Sequence, residues 1–294
     1  LDLIKVLLKA GANPNVLHDG TSLLSEAIEN DDEELAMVLR KHGATELPTL
    51  VGSDAEMDVQ PESETGRALI TAAIFSNFKA LRRCVLQGAD VNYLTSEGMT
   101  ALELSLSGLL DDSKSRTFRR NTEQCIDLLL RNGADPNLGW RSAFLRAALG
   151  RRLHLVEAML KTGADINQRY EKGETALFLA LLAPGPGQPV DDRCALALLK
   201  AGADSSLSHE SGAMPIHLAA DSNYVGALQD LLERRPQDVD AKTNTGITPL
   251  MMAATEGRAE AVSLLLEFGA DRTLRNEEGL TAKDIAIKNG HSEL

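Results

Sequence analysis

The chain has 294 residues, 43% apolar and 25% charged, with a net charge of −13 and 3% aromatic residues. That acidic balance argues against general nucleic-acid binding, which needs a basic face for phosphates. No apolar run approaches the length needed to span a bilayer, which argues against membrane insertion.

Residues 1–8 read as the end of a leucine-rich helix closed by Gly11-Ala12-Asn13, and Gly43-Ala44 closes a second such stretch. From residue 45 to 66 the pattern lapses into a polar linker with Pro48, Pro61 and several acids. Between Glu26 and Glu64 there are twelve acids against two bases, Arg40 and Lys41, so most of the net charge is local. The plain reading of that stretch is a solvated surface; the alternative is steering of a basic partner.

Beyond it, Gly-Ala-Asp returns at 88–90, 133–135, 163–165, 202–204 and 269–271, each time after a leucine-rich stretch. Most copies lead into a polar segment closed by another glycine: Gly98, Gly173, Gly212, Gly246 or Gly279. The last three closers are 34 and 33 positions apart, a period that means stacked small units. In the best-formed unit, Thr248-Pro249-Leu250 opens a helix, with proline where its missing N–H costs nothing. Gly257 breaks that helix, Ala261 to Leu266 supply a second apolar face, and Gly269 ends it. Two units are stretched between their helices. Thr100 to Gly133 is 33 positions and Thr175 to Gly202 is 27, against 21 for Thr248 to Gly269. These lengths predict inter-helix insertions over 109–120 and 184–189.

Thr248-Pro249-Leu250 and Met214-Pro215-Ile216-His217-Leu218-Ala219-Ala220 resemble the opening helix of the ankyrin repeat, Thr-Pro-Leu-His-x-Ala-Ala. The Leu-Leu to Gly-Ala-Asp-x-Asn segments at 128–137 and 160–167 resemble its second helix and hairpin. The resemblance implies an all-α solenoid over 1–294, with hairpin fingers, about seven full repeats and two partial ones. Leu1 falls inside a second helix and Leu294 before one is complete, which reads as a piece of a longer protein. Self-association through such ends is the weaker expectation.

The residues offer no catalytic, cofactor or metal constellation: no phosphate loop, nucleophile elbow or paired zinc ligands. Three cysteines, Cys84, Cys125 and Cys194, lack the number and spacing of a disulfide framework and point to a reduced, cytoplasmic setting, with the nucleus as the alternative. The six histidines are scattered over different units, and only His217 holds the family's histidine position, where the resemblance implies a bond to hairpin backbone. Asp90, Asp135, Asp165, Asp204 and Asp271 are read as turn-shaping acids, a ladder with no convergence. Asn92 and Asn167 stand where the family is sometimes hydroxylated, but asparagine is also a preferred turn residue. Ser113, Ser115 and Thr117, among Lys114, Arg116, Arg119 and Arg120, form a candidate phosphorylation site or basic contact.

Partners of this family usually lie against the fingers and first helices. Counting from each glycine puts Tyr93, Leu94, Arg169, Tyr170, Glu171, Lys242, Asn244 and Arg275 on the fingers, with Trp140 and Arg141 on a short one. Tryptophan, tyrosine and arginine are the usual anchors of interfaces, so a groove around Tyr93, Trp140, Arg169 and Tyr170 is the expected contact. The expected role is a non-enzymatic scaffold binding another protein or peptide. The alternative is the substrate-recruiting or regulatory arm of a multidomain enzyme, such as a ligase adaptor, methyltransferase or kinase.

Overall fold

The computed structural model describes residues 17, 18, 21, 22, 37–39, 41, 61–110, 113–139, 142–183 and 191–293. The chain divides into two compact units, Leu1–Asp58 and Val59–Leu294. In the first, β1 (Leu17–His18) pairs antiparallel with β2 (Thr21–Ser22), Leu17 opposite Ser22 and His18 opposite Thr21. This short ladder lies where the repeat pattern expects a hairpin finger. Residues 37–39 are helical, and Leu39 is fully buried.

The second unit is helical. It begins with α1 (Pro61–Ile74) and α2 (Phe78–Leu86), then α3 (Ala101–Leu109) and α4 (Arg116–Arg131). Next come α5 (Ala143–Leu149) and α6 (Leu153–Lys161), followed by α7 (Ala176–Ala180) and α8 (Arg193–Lys200). The last elements are α9 (Pro215–Asp221), α10 (Val225–Arg234), a 3-10 turn at Pro236–Asp238, α11 (Pro249–Thr255), α12 (Ala259–Glu267) and α13 (Ala282–Lys288). The described residues of this unit therefore hold six helix pairs and the first helix of a seventh.

Two expectations about interruptions change. Residues 61–66, placed in the linker from sequence, open α1, with Pro61 at a first helical position that needs no N–H; residues 45–60 lie outside the described residues. The extra length at 109–120 is in good part helix. Leu109 ends α3, and α4 already begins at Arg116, so α4 runs to 16 residues where α2 has 9. Ser115 makes that start favourable, its hydroxyl accepting from the Phe118 N–H at 3.1 Å. The proline-rich 184–189 stretch lies outside the described residues.

The first helices share one start chemistry. The hydroxyls of Thr100, Ser142, Thr175, Thr248 and Thr281 each accept from the backbone N–H three residues on. That satisfies one of the donors a helix start leaves unpaired. Consecutive first helices pack on one another from α1 through α13, and second helices pack alike, α2 on α4, α6 on α8, α8 on α10 and α10 on α12. One apolar core follows the stack from Leu69 to Ala286, built of leucine and alanine with Tyr224 and Phe144 among its largest buried side chains. Cys84, Cys125 and Cys194 sit in it, free and buried, and burial pushes the last two thiols up to about 12.

Four repeats also close the carbonyl end of the first helix before them. Arg152 donates to Leu109 O, Ser222 to Leu181 O, Arg258 to Asp221 O and Asn289 to Thr255 O, at 2.9 to 3.3 Å. Arg151 reaches further, donating from Nη1 to both Leu182 O and the Tyr224 hydroxyl at 2.9 Å, and so ties together three successive repeats.

Candidate functional site: the fingers and the first-helix face

The fingers are built by one repeated set of bonds. A second helix ends at a glycine with positive φ, such as Gly163 at 97°, where a side chain would be strained. The next aspartate then folds the chain: Oδ1 of Asp90, Asp135, Asp165, Asp204 and Asp271 accepts from the N–H two residues on, at 2.8 to 3.0 Å. These acids form a ladder of turn-makers, as their spacing implies. The Ser206 hydroxyl, and after it the Ser206 N–H, holds the Asp204 carboxyl below its ordinary value, and Thr273 does the same for Asp271.

After Asp90, Asp135 and Asp165 the residue two on joins one finger base to the next, and Asp240 does so further along. Asn92 accepts from Asp135 N–H at 2.8 Å and donates to Gly133 O at 3.1 Å. Asn137 repeats this on Asp165 and Gly163, at 2.7 and 3.0 Å. Asn167 accepts from Asp204 N–H at 2.9 Å, and Asp240 from Asp271 N–H at 2.9 Å. Sequence reasoning treated Asn92 and Asn167 as turn residues; their side chains, with that of Asn137, in fact bridge repeats.

His217 performs the corresponding task from α9. Its Nδ1 accepts from Met214 N–H at 3.1 Å, so Nε2 carries the hydrogen and donates towards Ala241 O and Ile247 O at 3.1 and 3.2 Å. The ring is fully buried, and burial lowers its pKa below the ordinary value despite those three backbone bonds. In α3 the same position, three residues after the cap, holds Glu103. It is also fully buried, and its Oε1 accepts from Arg146 Nη2 at 3.2 Å. Arg146 donates in turn to Ser107 Oγ at 3.0 Å. This charged pair was not read from sequence. Its signal was a carboxylate at the histidine position followed by an arginine one position further along the first helix of the next repeat.

The fingertips bond to one another as well. Glu210 N–H donates to Lys172 O at 2.8 Å, and Asn244 donates from its backbone to Ser211 O and from Nδ2 to Glu210 O at 2.9 and 2.8 Å. Glu277 N–H donates to Thr245 O at 3.1 Å. Arg169 Nη2 donates to Ser208 O at 2.7 Å, and Lys172 pairs with Glu210 at 3.5 Å. A hydrogen-bonded edge thus runs from Arg169 to Glu277.

The finger residues singled out from sequence separate into groups. Arg169 and Asn244 spend their side chains on neighbouring carbonyls, and Arg275 donates to Gly279 O of its own finger. Tyr93 and Tyr170 are half-buried and packed on the core. Tyr93 lies so close over α1 that a Cβ on Gly66 would stand 2.5 Å from its ring. Leu94, Glu171 and Lys242 are exposed. Trp140 and Arg141 lie outside the described residues.

A further set escaped the sequence reading. Leu104, Leu179, Leu218 and Met252 each stand four residues after the cap of a first helix and are half-buried, the three leucines packed on the core with an edge to solvent. Arg146 takes that register in α5. The position is the variable one between the histidine and the two alanines of the repeat opening, so only comparison between repeats reveals the stripe.

A family model described as ankyrin repeats matches residues 216–294 in three copies. The chain belongs to the ankyrin repeat family. Its relatives include the human ankyrin repeat and SOCS box protein 16, 32% identical over 208 residues, covering 68% of this chain and 42% of that protein. The mouse ankyrin repeat domain-containing protein 63 is 32% identical over 164 residues, 53% of this chain and 40% of that protein. The tyrosine-protein kinase HTK16 of Hydra vulgaris is 29% identical over 157 residues, 49% of this chain and 20% of the kinase. The chain spans less than half the length of each. Among the described residues no helix is long and apolar enough to cross a membrane, and no three metal-ligating side chains converge.

Proposed function

We propose that these ankyrin repeats bind a partner protein or peptide along the face formed by the fingers and the first helices. The observation that carries this reading is the half-buried apolar stripe of Leu104, Leu179, Leu218 and Met252 at one register of the first helices, with Arg146 between the first two. Beside it, the bonded fingertips from Arg169 to Glu277 are already ordered, so docking there would sacrifice little conformational freedom. Exposed Leu94, Glu171 and Lys242 add side chains that a partner could meet.

A photo-crosslinking amino acid placed at Leu179 or Leu218 in the full-length protein tests this. Crosslinks to a protein partner are expected from those positions and not from Ser263 or Gln229 on the second helices. Equal crosslinking from both sets would refute the assignment.

A second reading, in which the repeats recruit or regulate for a catalytic domain elsewhere in a longer polypeptide, draws on a relative whose name is that of a tyrosine kinase and of which this chain matches a fifth. The same crosslinks falling within the protein's own chain would favour it.

A further inference from the structure

Among the stretches of this acidic chain that carry cations and no acid are 75–89 and 113–122. The fold brings them together. Ser76, in the turn that opens α2, has its Oγ 2.5 Å from Thr122 Oγ1 in α4, and α2 packs on α4. On α2, Lys79, Arg82, Arg83 and Leu86 are exposed at spacings of three and four, which is one helix face. On α4, Arg116 and Arg120 are exposed four apart, and the Lys114 ammonium stands 5.3 Å over the Phe118 ring. The added turns of α4, absent from the shorter second helices, are what supply Arg116 and Arg120. Lys79, Arg82, Arg83, Arg116 and Arg120 make no ion pair among the described residues.

Apolar side chains lie at the same place: Ile74 is 46% exposed, Phe75 39% and Leu86 75%. The basic surface also has a boundary. One and two turns past Arg120, α4 presents Glu123 and Asp127, which face His154 and Arg131 at 3.9 and 2.9 Å.

We propose that the outer face of α2 and the first two turns of α4 dock a short, carboxylate-rich peptide segment of a partner protein, with apolar residues between its acids. Charge complementarity selects the acids, and the exposed Phe75 and Leu86 select the apolar residues. The boundary selects a short peptide. A nucleic acid or an anionic bilayer would run past Arg120 onto Glu123 and Asp127 and meet a chain of net charge −13. This surface lies on second helices and does not depend on the finger face proposed above.

The test is to pan a random peptide library displayed on phage against the 294-residue chain and to measure binding of a fluorescein-labelled selected peptide by polarisation. The expected peptides are rich in Asp and Glu with apolar residues interleaved. Affinity should fall about tenfold or more in Arg82→Glu/Arg83→Glu and in Arg116→Glu/Arg120→Glu, with no change in Lys161→Glu/Lys200→Glu. Because charge reversal can disturb folding, Arg82→Gln/Arg116→Gln with an unchanged thermal melt should still lose about threefold. Binding should weaken steeply as salt is raised from about 50 to about 300 mM. Selected peptides without acid enrichment, or binding indifferent to all three arginine variants, would overturn the proposal. So would a labelled oligonucleotide or phosphatidylserine vesicles that bind more tightly than the peptide and are lost in the same variants.

Discussion

The side-chain oxygen of Asn137 accepts a hydrogen bond from the N–H of Asp165 at 2.7 Å while its amide donates to Gly163 O at 3.0 Å. Two backbone groups at the start of one finger thus depend on a side chain from the finger before. Both bonds are solvent-accessible, so water can replace them in part. Asn137→Ala is expected to cost about 1–2 kcal/mol, since one bond of this kind is worth about 1 kcal/mol. Asn137→Asp keeps the acceptor and loses the donor, as Asp240 does naturally opposite Asp271, and should cost about half as much. Urea unfolding of the two variants gives both numbers. Equal losses would mean that the bond from Asp165 N–H contributes nothing, and an Asn137→Asp variant as stable as the parent would mean the same of the donor to Gly163.

The buried His217 ring makes stability depend on pH. Its Nδ1 receives the Met214 N–H, so a second proton would set two donors against each other in a buried site. The folded pKa is accordingly depressed, with burial the main cause. In the unfolded chain histidine titrates near about 6.5. Below that pH the unfolded chain binds a proton that the folded chain does not, so the contribution is present above about pH 6.5 and is lost as pH falls. The urea midpoint should drop between pH 7.5 and pH 5.5, and His217→Gln should flatten the drop. A wild-type midpoint unchanged over that range would contradict the assignment.

Much of this was legible in the residues because the repeat reports itself many times. Helix order, the glycine breaks and the turn-making aspartates follow from local chemistry that recurs at fixed offsets. His217 could be placed because one position carries one task. What stayed hidden depends on the neighbouring repeat. No spacing within a unit says that Asn92 and Asn137 serve the next finger, or that Arg151 reaches Tyr224 two repeats away. The stretched unit misled for a related reason. Length alone predicts a loop, but Ser115 caps a helix there, and residues 116–131 continue as one. Tyr93 looked available because finger position was counted without the repeat beneath it.

Arg146 and Glu103 should be strongly coupled. The Glu103 side chain is fully buried and that of Arg146 is 21% exposed. Removing the arginine leaves a buried carboxylate without its counter-charge, which costs more than the pair contributes. Arg146→Ala is expected to destabilise by about 3 kcal/mol, and Arg146→Met/Glu103→Gln by clearly less. A double-mutant cycle in urea checks this. Additive losses would show that the two side chains do not act together.

Gly66 and Tyr93 allow a test in which the sign reverses. Gly66 lies inside α1, where alanine is intrinsically better than glycine by about 1 kcal/mol. Yet the ring of Tyr93 occupies the space a methyl would need, with three ring carbons 2.5 to 2.9 Å from the ideal Cβ position. These are ring atoms, with no flexible tip that could swing aside. Overpacking of this kind costs about 1–3 kcal/mol, so Gly66→Ala should destabilise despite the helix preference. In a Tyr93→Ala background the obstruction is gone and only the preference remains. There the same Gly66→Ala change should stabilise, by about 0.5–1 kcal/mol. Thermal melts of the four proteins decide it: a Gly66→Ala effect of the same sign in both backgrounds would mean that Tyr93 does not rest on α1.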